Sequence, residues 1–136
     1  MNNILTTIAK GVKNILMNPK KSRILLEASK MWMKAKEEAE EMRKRDGHRY
    51  FVVYDISQGK LIHITYDLYK NRGDSYKYLR LRGRFKSPIR REQLKELCFY
   101  YTGSKWGAKA CEGEQEQEKM REWQKYYLKV KLSTKK

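Results

Sequence analysis

"RYFVVYDISQGKLIHITY", residues 49–66, decides the fold. Tyr50, Val52, Tyr54 and Ile56 alternate with Phe51, Val53 and Asp55, and alternation resumes from Leu61 to Tyr66. A repeat of two is the period of a strand, whose successive side chains point to opposite faces. "SQGK" lies between the two runs and supplies the polar residues and the glycine of a turn. The stretch therefore predicts a β-hairpin with strands at 49–56 and 60–66.

Upstream the period changes to that of a helix. Asn18-Pro19 reads as an N-cap followed by proline at the first helical position. Ile24, Ala28, Met31, Trp32, Ala35, Ala39 and Met42 then recur at three- and four-residue steps as far as Arg45. Gly47 is the natural stop, and Arg43 to Arg45 suit the negative end of the helix. The acidic block "EEAEE", 37–41, fits a solvated face. A second amphipathic helix is expected within 2–17, where Ile4, Leu5, Ile8, Val12, Ile15 and Leu16 share one side. That stripe suits docking on the body, on a protein partner or on an anionic membrane surface.

Downstream, "SYKYLRLRGRFKSPIRR", residues 75–91, holds seven Lys or Arg among seventeen positions and no acid. Read as a strand over 76–86, it sorts Tyr76, Tyr78, Arg80, Arg82, Arg84 and Lys86 to one side. Lys77, Leu79, Leu81, Gly83 and Phe85 fall on the other. Guanidinium forks match phosphate oxygens, and tyrosine rings offer faces to unpaired bases. Arg90 and Arg91 would extend the row. The bland reading of the same charges is an edge strand protected against sheet-to-sheet pairing.

Ser87-Pro88 is expected to cap a further helix, with Ile89, Leu94, Leu97, Cys98 and Tyr101 as its buried stripe and its end before Gly103. "TGSKWGAKACEG", 102–113, has three glycines and no period, and reads as a connector. A last helix follows, with Met120, Trp123, Tyr127 and Val130 as its apolar line, and then a basic tail. The expected fold is α+β: a small antiparallel sheet of about three strands flanked by N-terminal and C-terminal helices. One domain spans 1–136, with an N-terminal helical part at 1–46, an α+β core at 47–102, and a linker and C-terminal helix at 103–136.

Composition bounds the function. Thirty-two Lys and Arg against sixteen Asp and Glu leave a formal charge of +16, which concentrates polyanions around the chain. Hydrophobic residues at 40% are enough for a core. No apolar run approaches a membrane span, and no export signal precedes the fold, so a cytoplasmic or virion location is expected. Cys98 and Cys111 lack metal-site spacing with His48 or His63, so neither metal nor cofactor is expected. No phosphate-binding glycine loop, zinc-protease helix or serine elbow is present, and the chain reads as a non-enzyme. A metal-free nuclease could be assembled only if His63, Tyr66 and Asp67 met the arginines.

"MRKRDGHRYFVVYD", 42–55, followed by "GKLIHITYDLY", 59–69, resembles short uncharacterised proteins encoded by Bacteroidetes and their crAss-like tailed phages. The resemblance spans residues 28–70 and implies no activity. It implies instead a virion or mobile-element accessory role, in which terminal helices bind protein partners or capsid components through Leu5, Ile8, Val12, Trp123 and Tyr127. The residue chemistry favours nucleic acid, DNA or RNA, as the partner of the basic row.

Overall fold

Asn18 opens the first helix by accepting, through Oδ1, the backbone N–H groups of Lys20 and Lys21 at 3.1 and 3.3 Å. Helix α1, Pro19–Asp46, runs from there to Gly47, whose φ of 78° is left-handed and whose N–H donates to Arg43 O at 2.7 Å. The computed structural model describes residues 18–71, 79–80 and 89–133. The buried stripe of α1 is Ile24, Leu25, Ala28, Trp32, Ala35 and Ala39, while Met31 and Met42 pack against it half-buried.

The hairpin forms as its alternation predicts. Strand β1, Phe51–Asp55, pairs antiparallel with β2, Lys60–Ile64, from Phe51 opposite Ile64 to Asp55 opposite Lys60. Asp55 builds the turn: its Oδ1 accepts Ser57 N–H at 2.9 Å and the Ser57 hydroxyl at 2.6 Å, and its Oδ2 accepts Gln58 Nε2 at 3.0 Å. All five residues of β1 are buried, on both faces, and β1 is the central strand, paired along both edges. After β2, Thr65 Oγ1 accepts Leu68 N–H at 3.2 Å and starts the short helix α2, Tyr66–Lys70.

Strand β3, Leu79–Arg80, lies antiparallel to β1 with Arg80 opposite Tyr54 and Leu79 opposite Asp55. This is the described part of the strand expected at 76–86. Tyr76, Tyr78, Arg82, Arg84 and Lys86 lie outside the described residues, as do Leu5, Ile8 and Val12.

The next segment departs from expectation. Helix α3 is Arg91–Leu97, with Arg90 rather than Ser87 at its N-cap position and the Arg90 N–H donating to Gln93 Oε1 at 3.0 Å. It ends at Cys98, well short of Gly103. Phe99 N–H then donates to Val52 O at 2.9 Å, and β4, Tyr100–Tyr101, pairs antiparallel with β1 at Val52 and Phe51. Tyr101, read from its spacing as part of a helical stripe, is a strand residue. Since β2 occupies one edge of β1 along its whole length, the two-residue strands β3 and β4 share the other.

The early end of α3 leaves carbonyls without helical N–H partners. The buried Lys119 ammonium collects them, donating to Lys95 O at 3.0 Å, Glu96 O at 2.9 Å and Cys98 O at 2.8 Å. Lys119 belongs to helix α4, Gly113–Ser133, which packs antiparallel on α1. The pairing order fixes the direction: Lys36 meets Glu116, Ala28 O accepts Trp123 Nε1 at 2.8 Å, and Glu27 Oε1 accepts the Tyr127 hydroxyl at 2.7 Å. Cys98 and Cys111 are buried and not disulfide-bonded. No helix among the described residues is long and apolar enough to cross a membrane.

Trp123 and Tyr127, expected on a partner-binding face, are instead core, with exposures of 0% and 3%. The Trp123 ring lies 5.5 Å from Tyr54, 5.2 Å from Phe99 and 5.2 Å from Tyr127, centroid to centroid. An amphipathic stripe records only that one helix face is covered, and here the sheet and α1 cover it.

Several core phenols are held neutral. Burial, reinforced by the Asp46 carboxylate it donates to at 2.5 Å, pushes Tyr50 up to about 12. Burial and the hydrogen bonds to Glu40 and Glu27 raise Tyr100 and Tyr127 far above the ordinary phenol value. Burial also pushes the Cys111 thiol from its usual 9.0 up to about 12. In each case the folded value lies above the unfolded one, so the stabilisation is complete at low pH and fades once the unfolded chain ionises. Unfolding free energy should hold steady approaching pH 9 and then fall continuously towards pH 12. Denaturant titrations at stepped pH measure it, and a curve that stays level across that interval contradicts these assignments.

Candidate nucleic-acid interface

Where α1 ends, three chain segments converge. Gly47 O accepts Lys105 N–H at 2.9 Å, which ties the end of α1 to the connector after β4. Arg49 reaches the same connector twice, donating from Nε to Thr102 O and from Nη2 to Lys109 O, each at 2.9 Å. Thr102, fully buried, accepts Tyr50 N–H through Oγ1 at 2.9 Å and donates its own N–H to Tyr50 O at 2.9 Å.

These bonds hold the loop Ser104–Ala108, which is closed on itself. Ser104 N–H donates to Ala108 O at 3.0 Å, while Ser104 Oγ accepts the N–H groups of Trp106 and Ala108 at 3.2 and 3.3 Å. Gly103 permits the closure, since a Cβ there would fall 2.5 Å from Ala108 O. At the tip stands Trp106, 66% exposed, the most exposed large apolar side chain among the described residues. An apolar ring held outward by so many backbone bonds is a candidate contact surface.

Around Trp106 lies a cleft of about 400 Å³, lined also by His48, Arg49, Phe51, Tyr66, Asp67 and Arg91. His48 leans on the indole, with ring centroids 5.3 Å apart at 42°, and Lys105 Nζ sits 4.8 Å from the ring centroid. The Arg91 guanidinium stacks over Tyr66 at 5.0 Å, with Lys70 Nζ at 5.8 Å from the same ring. The Arg49 guanidinium lies 4.7 Å from the Tyr101 ring and 5.8 Å from Phe51. Among the described residues Asp67 is the one carboxylate of the lining, against Arg49 and Arg91. Arg90 and Arg91 are exposed and form no ion pair among the described residues.

Of the residues singled out in the sequence, Arg91 lines this cleft and Arg90 precedes it. Arg80 is on the sheet edge by its backbone pairing, and Ile89, where the described residues resume, donates its N–H to the Tyr69 hydroxyl at 3.2 Å. The nuclease constellation is not brought together. Tyr66 and Asp67 line the cleft, whereas His63 lines a groove between α1 and β2 with Met31, Lys34, Ala35 and Glu38, its ring 5.6 Å from Tyr50. Sequence reading missed Trp106, His48 and Arg49. The available signal was a tryptophan flanked by lysine and glycine in a stretch with no apolar period to bury it.

No protein-family model, curated protein or solved structure matches the chain.

The junction at Gly47 sets the position of Trp106, and any side chain there is strained. A Cβ would meet left-handed backbone at φ +78° and fall 2.3 Å from Lys105 Cδ. Gly47→Ala should lower stability by about 1–2 kcal/mol. It should also speed hydrogen exchange at the Lys105 amide, which Gly47 O protects. Unchanged exchange at that amide contradicts the coupling between helix end and loop.

Proposed function

We propose that the chain binds nucleic acid without catalysing a reaction on it, through a cationic and aromatic surface running from the β3 edge to the cleft beside α3. The observation that carries this reading is the clustering of exposed Trp106 with Lys105, Arg49 and Arg91, in a chain of net charge +16. Phosphates attract guanidinium and ammonium groups at long range and release counterions on contact. Arg90 and Arg91 supply exposed cations at and beside the cleft. Arg80, Arg82, Arg84 and Lys86 extend the row in sequence, with Tyr76 and Tyr78 as further stacking groups.

Protective charge on an edge strand explains this less well. Such protection needs charge of either sign on the strand itself, not a tryptophan and a histidine presented on a neighbouring loop. The assembly alternative keeps Leu5, Ile8 and Val12, which lie outside the described residues, and loses Trp123 and Tyr127 to the core.

Electrostatic binding of this kind has a measurable salt dependence. Four or more phosphate contacts give a log–log slope of about −3 to −4 or steeper for binding against salt. Gel shifts on duplex DNA, single-stranded DNA and RNA over a salt series should give that slope. Replacing Arg90 and Arg91 together with alanine should flatten it by roughly 1 to 2. Absence of any shift at low salt contradicts the proposal.

A further inference from the structure

The cleft differs from a plain basic patch in having a floor and walls of ring faces. A phosphate track needs cations alone. Trp106 is 66% exposed on a loop closed by Ser104, so the backbone that carries the ring is set before any ligand arrives. His48 lies against the indole at 5.3 Å, and Arg91 over Tyr66 places a guanidinium in the lining of the same cleft. Ring and cation are thus offered together, within a volume of about 400 Å³. That lies inside the span of roughly 300–1,000 Å³ typical of sites for small ligand groups.

The chemistry of the walls narrows the occupant. A cationic ligand is disfavoured, because Arg49, Arg91 and Lys105 already stand at ring faces and Asp67 is the one carboxylate of the lining among the described residues. A purely apolar group would leave those cations unused. An inorganic polyanion would leave Trp106 unused. One ligand class uses both, a flat aromatic ring joined to a phosphate. A duplex conceals its base faces in the stack, whereas a single strand exposes them.

We infer that the cleft is a subsite for one unpaired nucleotide, its base on the Trp106 indole and its phosphate at Arg91, which gives the protein a preference for single strands. The inference rests on the nucleic-acid reading above and goes further by assigning the strand state. On binding, the flexible Lys105 ammonium leaves the ring face to the base and turns to the backbone. Arg49, pinned to Thr102 O and Lys109 O, stays as fixed positive charge in the wall.

The test uses the full chain and four probes: fluorescein-labelled oligo(dT) and oligo(U) of about 12 nucleotides, a duplex of equal length, and immobilised heparin, which has charge but no bases. Affinities are compared for the parent, Trp106→Ala and Trp106→Phe. The parent should bind at least one of the single strands more tightly than duplex, and comparison of the two identifies DNA or RNA. Trp106→Ala should weaken single-strand binding by about five- to a hundredfold, leaving duplex affinity and heparin retention within about twofold. Trp106→Phe should recover most of the loss. Equal weakening towards all four probes would mean that Trp106 serves charge presentation or the fold, and overturns the inference. Parent-like binding of single strands by Trp106→Ala overturns it too, while leaving the nucleic-acid reading intact. No binding to any oligonucleotide at low salt overturns both. Retention on heparin without oligonucleotide binding assigns the basic surface to another polyanion.

Discussion

The indole of Trp123 is the contact on which the rest of the molecule depends. Its N–H enters the backbone of α1 at Ala28 O, and its ring touches Tyr54 of the central strand, Phe99 ahead of β4, and Tyr127 on its own helix. Ala28 is fully buried, and only a side chain that small lets α4 come near enough for the hydrogen bond. Trp32 makes the reciprocal link, donating to Phe99 O at 2.8 Å and meeting the Tyr100 ring edge-on at 5.7 Å. Two helices and the sheet are therefore joined through two buried donors, both satisfied. Truncating such a tryptophan typically costs about 3–5 kcal/mol, a large share of a domain's net stability.

That interlock fixes the cleft from a distance. With α1 held against the sheet, Gly47 emerges beside β4. Thr102 and Arg49 then bind the connector backbone, and the Ser104–Ala108 loop has one place to go. The buried Lys119 does the same for the other wall by gathering the carbonyls at the end of α3, whose first residue is Arg91. The cationic surface is a consequence of how these two segments are anchored, and Phe51 joins core to cleft by belonging to both.

Much of this architecture is written in local pattern. The hairpin at 51–64 shows in alternation and in the "SQGK" turn. Helix α1 shows in Asn18-Pro19, its apolar steps and Gly47, because each is a local effect of backbone geometry. Strand β4 is not legible. Two residues cannot display a period of two, and Leu94, Leu97, Cys98 and Tyr101 happen to hold helical spacing across a real break in the chain. Trp32 shows in the apolar steps of α1 and is buried there, whereas the roles of the other two tryptophans are hidden. Trp123 and Trp106 both follow polar or charged neighbours, and only the tertiary fold decides that one is sealed beneath α1 while the other stands in solvent. Arg90 and Arg91 were legible as part of the basic row. Their partners His48 and Arg49 belong to a different segment, which packing alone brings close.

The division between sealed and presented indoles gives the account its sharpest observable. The chain has three tryptophans, so its proton–nitrogen NMR spectrum holds three indole signals. Titrating single-stranded oligonucleotide into labelled protein should move the Trp106 indole signal first and furthest, with those of Trp32 and Trp123 held by their bonds to Phe99 O and Ala28 O. A saturating titration that leaves Trp106 unmoved, or that shifts the two buried indoles in its place, contradicts the central claim.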